Sequence, residues 1–169
     1  MKNIIILLCL ATGLLSSCKK ENQSKALTLN TWRIDEKTQG HDASIVYSQV
    51  SGTFSTQGYQ LLEMHGDDVA QPMLNHCWLK IYINTIGPPP TGEYKIVPYN
   101  KLATVSNAVC IQTVQNSNTT SDTYREANEG QTAHILLENG NINIQFDNIN
   151  IAVKDRPDDK STLSVNLRK

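Results

Sequence analysis

The sequence predicts an all-β domain, either an antiparallel β-sandwich or a flattened barrel, of about eight to ten short strands. Apolar residues recur at every second position along most of the chain, and no window shows the spacing of an amphipathic helix. Turn-forming stretches separate these runs at short intervals. The 169 residues carry 15 Lys and Arg against 16 Asp and Glu, a net charge of -1. This length predicts one domain, and this charge gives no basic footprint for nucleic acid.

The N-terminus has the three regions of an export signal: Lys2, an apolar run from Ile4 to Leu15, and small residues before Cys18. The run of about twelve residues is shorter than the roughly 20 that a membrane-spanning helix needs. Leu15-Ser16-Ser17-Cys18 resembles a bacterial lipobox, in which a peptidase cleaves before the cysteine and the cysteine receives acyl chains such as palmitate. We therefore expect residues 1–17 to be removed as a lipoprotein signal peptide and Cys18 to be lipidated.

A lipidated Cys18 predicts a protein anchored to a membrane without spanning it. Each buried methylene adds about 0.8 kcal/mol of membrane affinity, so two or more acyl chains hold a protein stably. Residues 18–25 are polar after the cysteine and read as a flexible tether. Residues 26–169 are then the β domain.

The clearest strand covers residues 77–84, where Cys77, Leu79 and Ile81 alternate with polar or aromatic residues. A rigid proline-rich loop at residues 87–92 follows, and a second strand restarts at 92–97. A last strand holds the apolar residues of 163–167. Weaker alternation predicts further strands at residues 26–34, 43–54, 59–64, 102–114 and 119–125.

Asn139-Gly140 predicts a hairpin between residues 132–138 and 141–153, because both residues tolerate the positive φ angles of a type I′ turn. On the second arm, the apolar phase shifts by one residue across Asp147-Asn148. Such a shift indicates a β-bulge or a bend between two sheets.

Cys77 and Cys110 remain once the N-terminal cysteines are lost to cleavage and lipidation. An exported domain can pair them, and a disulfide closing a loop of this size stabilises by roughly 3 to 4 kcal/mol. The alternative is two separate buried thiols that behave as small apolar residues. The sequence leaves both open, since nothing in it says that their strands are neighbours.

Two clusters carry potential metal ligands. Residues 65–68 and 76–77 supply His65, Asp67, Asp68, His76 and Cys77, but their spacing matches no standard zinc motif, and the region reads as a polar loop between strands. Asp67-Asp68 and the aspartates of 155–159 lack the alternating spacing of a calcium loop. We therefore predict no metal and no cofactor.

The sequence contains neither a glycine-flanked nucleophilic serine nor a phosphate-binding glycine loop, so no catalytic residue is predicted. Carboxylates such as Glu63, Asp67 or Glu93 could act on glycans only if the fold gathers two of them. Trp78 and Tyr82 share one face of their strand and form a candidate binding surface for a sugar or a protein. The alternative is that a loop covers this face.

Four features together resemble the small uncharacterised lipoproteins of Bacteroidota, which have a β-sandwich-like domain. They are the lipobox, Asn30-Thr31-Trp32, Pro90-Thr91-Gly92-Glu93-Tyr94, and the Asn139-Gly140 hairpin with Ile144-Gln145-Phe146-Asp147-Asn148-Ile149. The resemblance implies fold and location and carries no catalytic residues. Surface-exposed members tend to have acidic residues after the lipidated cysteine. Lys19-Lys20-Glu21 departs from that pattern and so argues against surface exposure. We expect the protein at the outer membrane, facing the periplasm.

These observations predict a non-catalytic, lipid-anchored protein of the bacterial envelope with a binding or structural role. Its partners would be the membrane and a glycan or protein ligand, and not nucleic acid. The competing interpretations are an envelope hydrolase acting on glycans and a carbohydrate- or protein-binding module.

Overall fold

The computed structural model describes residues 26–38, 41–55, 59–117, 120–156 and 158–169. These residues form ten strands and one short 3₁₀ helix. The first five strands are β1 (Thr31–Thr38), β2 (His41–Ser55), β3 (Gln60–Asp68), β4 (Asn75–Ile83) and β5 (Gly92–Ile96). The 3₁₀ helix spans Tyr99–Thr104, and β6 (Ala108–Ser117), β7 (Thr120–Ala127), β8 (Thr132–Glu138), β9 (Asn141–Ala152) and β10 (Thr162–Arg168) follow. The predicted all-β class is confirmed.

The strands hydrogen-bond in a closed ring, as in a flattened barrel. β10 pairs with both β1 and β9, which joins the two ends of the chain in one sheet. Two strands each pair with two different neighbours along one edge. The first part of β6 pairs with β5 and its later part with β7. The first part of β9 pairs with β8 and its last part with β7. The short β5–β6 pair is parallel, a departure from the predicted antiparallel pattern.

Strand alternation fills the interior of the ring with apolar side chains. Trp32 and Tyr47 face each other from β1 and β2, and their rings stack at 5.9 Å between centroids. Leu79 and Ile81 of β4 are buried, as the predicted alternation requires. Burying such side chains supplies most of the stability of a domain of this size.

A second, smaller cluster lies on the outer face of β4 and β6, beneath the 3₁₀ helix. Its buried residues are Val97, Leu102, Ala108 and Cys110. The sequence predicted one strand over residues 102–114, and this is wrong for its first part. Leu102 belongs to the 3₁₀ helix, and the strand begins only after Asn107, whose φ of 49° interrupts an extended backbone.

The predicted hairpin and bulge are both confirmed. Asn139 and Gly140 have φ angles of 51° and 79° between β8 and β9. The register between β9 and β10 shifts between Leu163 and Val165 of β10. Asn148 of β9 lies opposite this shift, and its φ is 55°. The backbone N–H of Asn148 donates to Ser164 Oγ at 3.1 Å, so the bulge keeps this donor satisfied.

Candidate functional site

The outer face of β3 and β4 carries two histidines, a carboxylate and a tryptophan, which we call the histidine face (His65, Asp67, His76 and Trp78). Asp67 lies opposite His76 in the register, and His65 lies opposite Trp78. His76 Nδ1 is 2.8 Å from Asp67 Oδ1. The ring centroid of His65 lies 4.7 Å from that of Trp78 and 5.8 Å from that of His76. All four side chains are half-buried.

Strands, and not the predicted polar loop, position these residues. β3 continues to Asp68 and β4 begins at Asn75, so the turn is confined to residues 69–74. Strand alternation then separates the five potential ligands of this region. Asp68 and Cys77 are buried inside the ring, whereas one ligand atom each from His65, Asp67 and His76 lies within 4.8 Å of the other two.

Trp78 and Tyr82 lie on the outer face of β4, as the alternation predicted, and both are half-buried. Trp78 packs against His65. Tyr82 packs against the second core cluster and meets the ring of Tyr99 edge-on, with 4.9 Å between centroids. Neighbouring side chains therefore cover part of each ring.

The disulfide between Cys77 and Cys110 is not formed, and both are buried free thiols. Cys77 lies opposite Gln115 and faces the interior, while Cys110 lies opposite Tyr82 and faces the outer cluster. The strands are neighbours, but the two side chains point to opposite faces of the sheet and cannot meet. Burial raises the pKa of the Cys77 thiol to about 12. Burial likewise raises the pKa of Cys110, as does the Glu126 carboxylate beside it.

The side chain of Arg125 is buried in the interior of the ring. Arg125 of β7 donates through Nε to Asp159 Oδ2 at 2.9 Å, and its Nη1 lies 3.3 Å from Glu36 Oε1. It also donates to the amide oxygen of Gln115. Gln115 in turn donates to the hydroxyl of Tyr47 at 2.9 Å. These contacts join β1, β2, β6, β7 and the loop before β10.

Asp159 is the most enclosed member of this arginine network, with a side chain that is 0% exposed. It accepts hydrogen bonds from the backbone N–H groups of Val153 and Ser161 at 3.0 and 3.1 Å, and from the Ser161 hydroxyl. Burial alone would raise the pKa of Asp159, but these hydrogen bonds and Arg125 outweigh it and hold the pKa below its usual value. Both carboxylate oxygens of Asp159 are therefore occupied by donors of the protein itself.

A cleft of about 780 Å³ opens between β7 and the segment that follows β9, and we call it the β7 cleft. This volume is within the range of small-molecule sites, roughly 300–1,000 Å³. Tyr124, which is 62% exposed, forms part of its wall together with Ala127 and Val153. Further lining residues include Pro98, Glu126, Glu129, Ala152, Lys154, Asp155 and Arg156.

Two of the three carboxylates that line the β7 cleft have partners, and the third, the exposed Asp155, has none among the residues that the structure describes. Glu126 accepts a hydrogen bond from Gln112 at 2.7 Å, and Glu129 forms an ion pair with Lys101 at 2.6 Å. Lys154 and Arg156 have no side-chain partner among the residues that the structure describes. These two cations and the unpaired carboxylate of Asp155 leave the cleft with a net uncommitted charge of +1.

The three carboxylates considered for glycan hydrolysis, Glu63, Asp67 and Glu93, do not lie together in the fold. Glu63 and Asp67 are four residues apart on the same strand, about 13 Å along it, whereas glycosidase carboxyl groups are roughly 5 to 9.5 Å apart. Glu63 forms an ion pair with Lys80 at 3.0 Å, and Asp67 contacts His76. Glu93 lies on β5, opposite His134 of β8, and not on a neighbour of β3.

Sequence reasoning missed both the arginine network and the β7 cleft. Alternation over Tyr124, Arg125 and Glu126 could have indicated that Arg125 faces inward. The identity of its partners could not be read in this way, because Glu36 and Asp159 come from distant parts of the chain.

No protein-family model, curated protein or solved structure matches the chain. Within the described ranges, no helix is long and apolar enough to cross a membrane. The proposed signal peptide, the lipidated Cys18 and the tether lie outside the described residues.

Proposed function

We propose that this protein is a non-catalytic, lipid-anchored binding protein of the bacterial envelope, held by Cys18 and facing the periplasm from the outer membrane. The β7 cleft is the observation that carries the binding role, because its volume suits a small molecule and its wall combines apolar and charged groups. The export signal and the resemblance to Bacteroidota lipoproteins support the location.

The lining of the cleft favours a small amphipathic anion. Tyr124, Ala127 and Val153 offer an apolar wall, and the rings of tyrosines bury large areas on binding. Lys154 and Arg156 offer two cations at the same cleft against the single unpaired carboxylate of Asp155, while the cleft's glutamates are engaged by Gln112 and Lys101. A ligand with an apolar body and one anionic group would contact both the apolar wall and the cations.

Binding of anilinonaphthalene sulfonate, a fluorescent amphipathic anion, tests the cleft. We expect saturable enhancement of its emission by the chain that starts after Cys18, and weaker binding by Tyr124→Ser. Ile86→Ser is the matched control, since Ile86 is a fully exposed apolar residue that does not line the cleft. Equal binding by wild type and Tyr124→Ser, or equal loss in both variants, contradicts the proposal.

Fractionation of cells expressing Cys18→Ala tests the anchor separately. Acyl chains account for the proposed membrane affinity, so the variant should move from the membrane fraction to the soluble periplasmic fraction. Cys9→Ala is the control, because residue 9 lies in the part removed by cleavage and its loss should leave membrane attachment unchanged. A Cys18→Ala protein that stays with the membrane refutes lipid anchoring at this residue.

A further inference from the structure

We infer that the histidine face binds a divalent first-row transition metal ion, with Zn²⁺ as its simplest occupant. Its ligands would be one ring nitrogen each from His65 and His76 and a carboxylate oxygen of Asp67. This site is separate from the β7 cleft. Tyr124 of the cleft is three strands away, since the register runs from His65 through Trp78 and Val114 to Tyr124, about 14 Å across the sheet.

The ligand types are those that zinc prefers. Two imidazoles and one carboxylate occur in catalytic zinc sites, which leave a further position for water or another small ligand. Imidazole nitrogen also suits copper and nickel, which compete for such sites by intrinsic affinity. In contrast to the acidic clusters that hold calcium, this site offers two nitrogen ligands for one carboxylate.

The geometry requires little movement. All three ligand atoms lie within 4.8 Å of one another, and His76 Nδ1 is already 2.8 Å from Asp67 Oδ1. Bonds of about 2.0 to 2.1 Å in a tetrahedron place neighbouring ligands roughly 3.3 Å apart. A metal ion would therefore open the His76–Asp67 contact by about half an ångström and draw the His65 nitrogen inward, which side-chain rotation can supply.

The supporting structure holds the ligands in place. All three residues project from the same face of two paired strands, which are more rigid than a loop, and Asp67 and His76 are directly opposite each other. Trp78 packs against the His65 ring at 4.7 Å and limits its rotation. The half-buried setting excludes part of the solvent without preventing a metal ion from reaching the site.

Isothermal titration calorimetry with Zn²⁺, on the untagged chain that starts after Cys18, tests the inference. We expect one saturable site in wild type. Loss of a group that supports a ligand typically lowers metal affinity by 10- to 100-fold. Removal of a ligand in His76→Ala should therefore lower it by at least about 100-fold, and Asp67→Asn by at least about tenfold. His134→Ala is the matched control, because His134 is an exposed histidine of β8.

His65→Phe keeps an aromatic ring against Trp78 while removing the nitrogen ligand, so it separates metal binding from ring packing. A thermal melt of each variant verifies that it is folded before titration. Loss of binding in folded His65→Phe and His76→Ala, with His134→Ala unchanged, supports the site. Absence of saturable binding by wild type at about 100 μM Zn²⁺, or equal affinity in all variants, would show an aromatic and ionic cluster without a metal function.

Discussion

Replacing Arg125 by methionine removes the cation that contacts the buried carboxylate of Asp159 and the half-buried carboxylate of Glu36. Asp159 and Glu36 have side chains only 0% and 15% exposed, and Arg125 contacts them at 2.9 and 3.3 Å. Methionine is similar in length and apolar, so the substitution removes the charge with little loss of packing. Removing one partner of a buried ion pair costs about 3 to 5 kcal/mol, because the remaining charge stays desolvated.

Urea unfolding measures this cost. With a slope of about 2 kcal/mol per molar, Arg125→Met should lower the midpoint by about 1.5 to 2.5 M. Lys101→Met is the control, since it breaks the Lys101–Glu129 pair, in which both side chains are 50% exposed. Its loss should stay below about 1 kcal/mol, because solvent screens exposed pairs.

A double variant distinguishes an uncompensated charge from a packing defect. Adding Asp159→Asn to Arg125→Met removes the carboxylate that lost its cation. The free energy of unfolding lost in the double variant should therefore be smaller than the sum of the losses in the two single variants. The reasoning is refuted if Arg125→Met destabilises no more than Lys101→Met, or if the Arg125 and Asp159 substitutions prove additive.

Three further predictions concern the thiols, a tight glycine and acid. Because burial raises the pKa of Cys77 to about 12 and also raises that of Cys110, neither should react with a disulfide reagent in the folded chain that starts after Cys18. Both should react in guanidinium, and rapid labelling of the native protein would contradict their burial. Gly66→Ala should destabilise by about 1 to 3 kcal/mol in urea, since a Cβ there would lie 2.8 Å from a backbone carbonyl oxygen and overlap a core tryptophan. Gly92→Ala, with open space around it, should be close to neutral, and equal effects would refute the steric argument. The lowered pKa of Asp159 means that its carboxylate stabilises the fold above the unfolded value of about 3.9, and that this contribution disappears as pH falls through the lower folded pKa. Urea midpoints from about pH 5 to about pH 2 should therefore fall more steeply for wild type than for Asp159→Asn, and parallel curves would exclude Asp159 as the cause.

The sequence predicted strands and turns correctly where the pattern involves only residues close together in the chain. The alternation of residues 77–84 and the Asn139-Gly140 turn correspond to β4 and the β8–β9 hairpin. The phase shift at Asp147-Asn148 corresponds to the observed bulge. Residues 102–107 were misread as strand, because an apolar residue buried by a 3₁₀ helix gives the same short-range signal as one in a strand.

The candidate sites were predicted less completely. His65, Asp67 and His76 were recognised as potential ligands, but their spacing in the sequence matched no standard zinc motif and suggested a loop. The observed cluster arises from antiparallel pairing, which places residue 67 opposite residue 76 and turns Asp68 and Cys77 inward. The same alternation put Cys77 and Cys110 on opposite faces and ruled out their disulfide.

The all-β class, the alternation of the strands and the strongest turn follow from the amino-acid sequence alone, because these features depend on neighbours within a few residues. The sequence also supplies the signal that predicts export and lipid anchoring. The closure of β10 onto β1 and β9, the partners of Arg125 and the β7 cleft arise only in the folded chain. Each of these depends on strand register and on contacts between distant segments. Many pairings satisfy the same local pattern, and the packing of the whole chain selects among them.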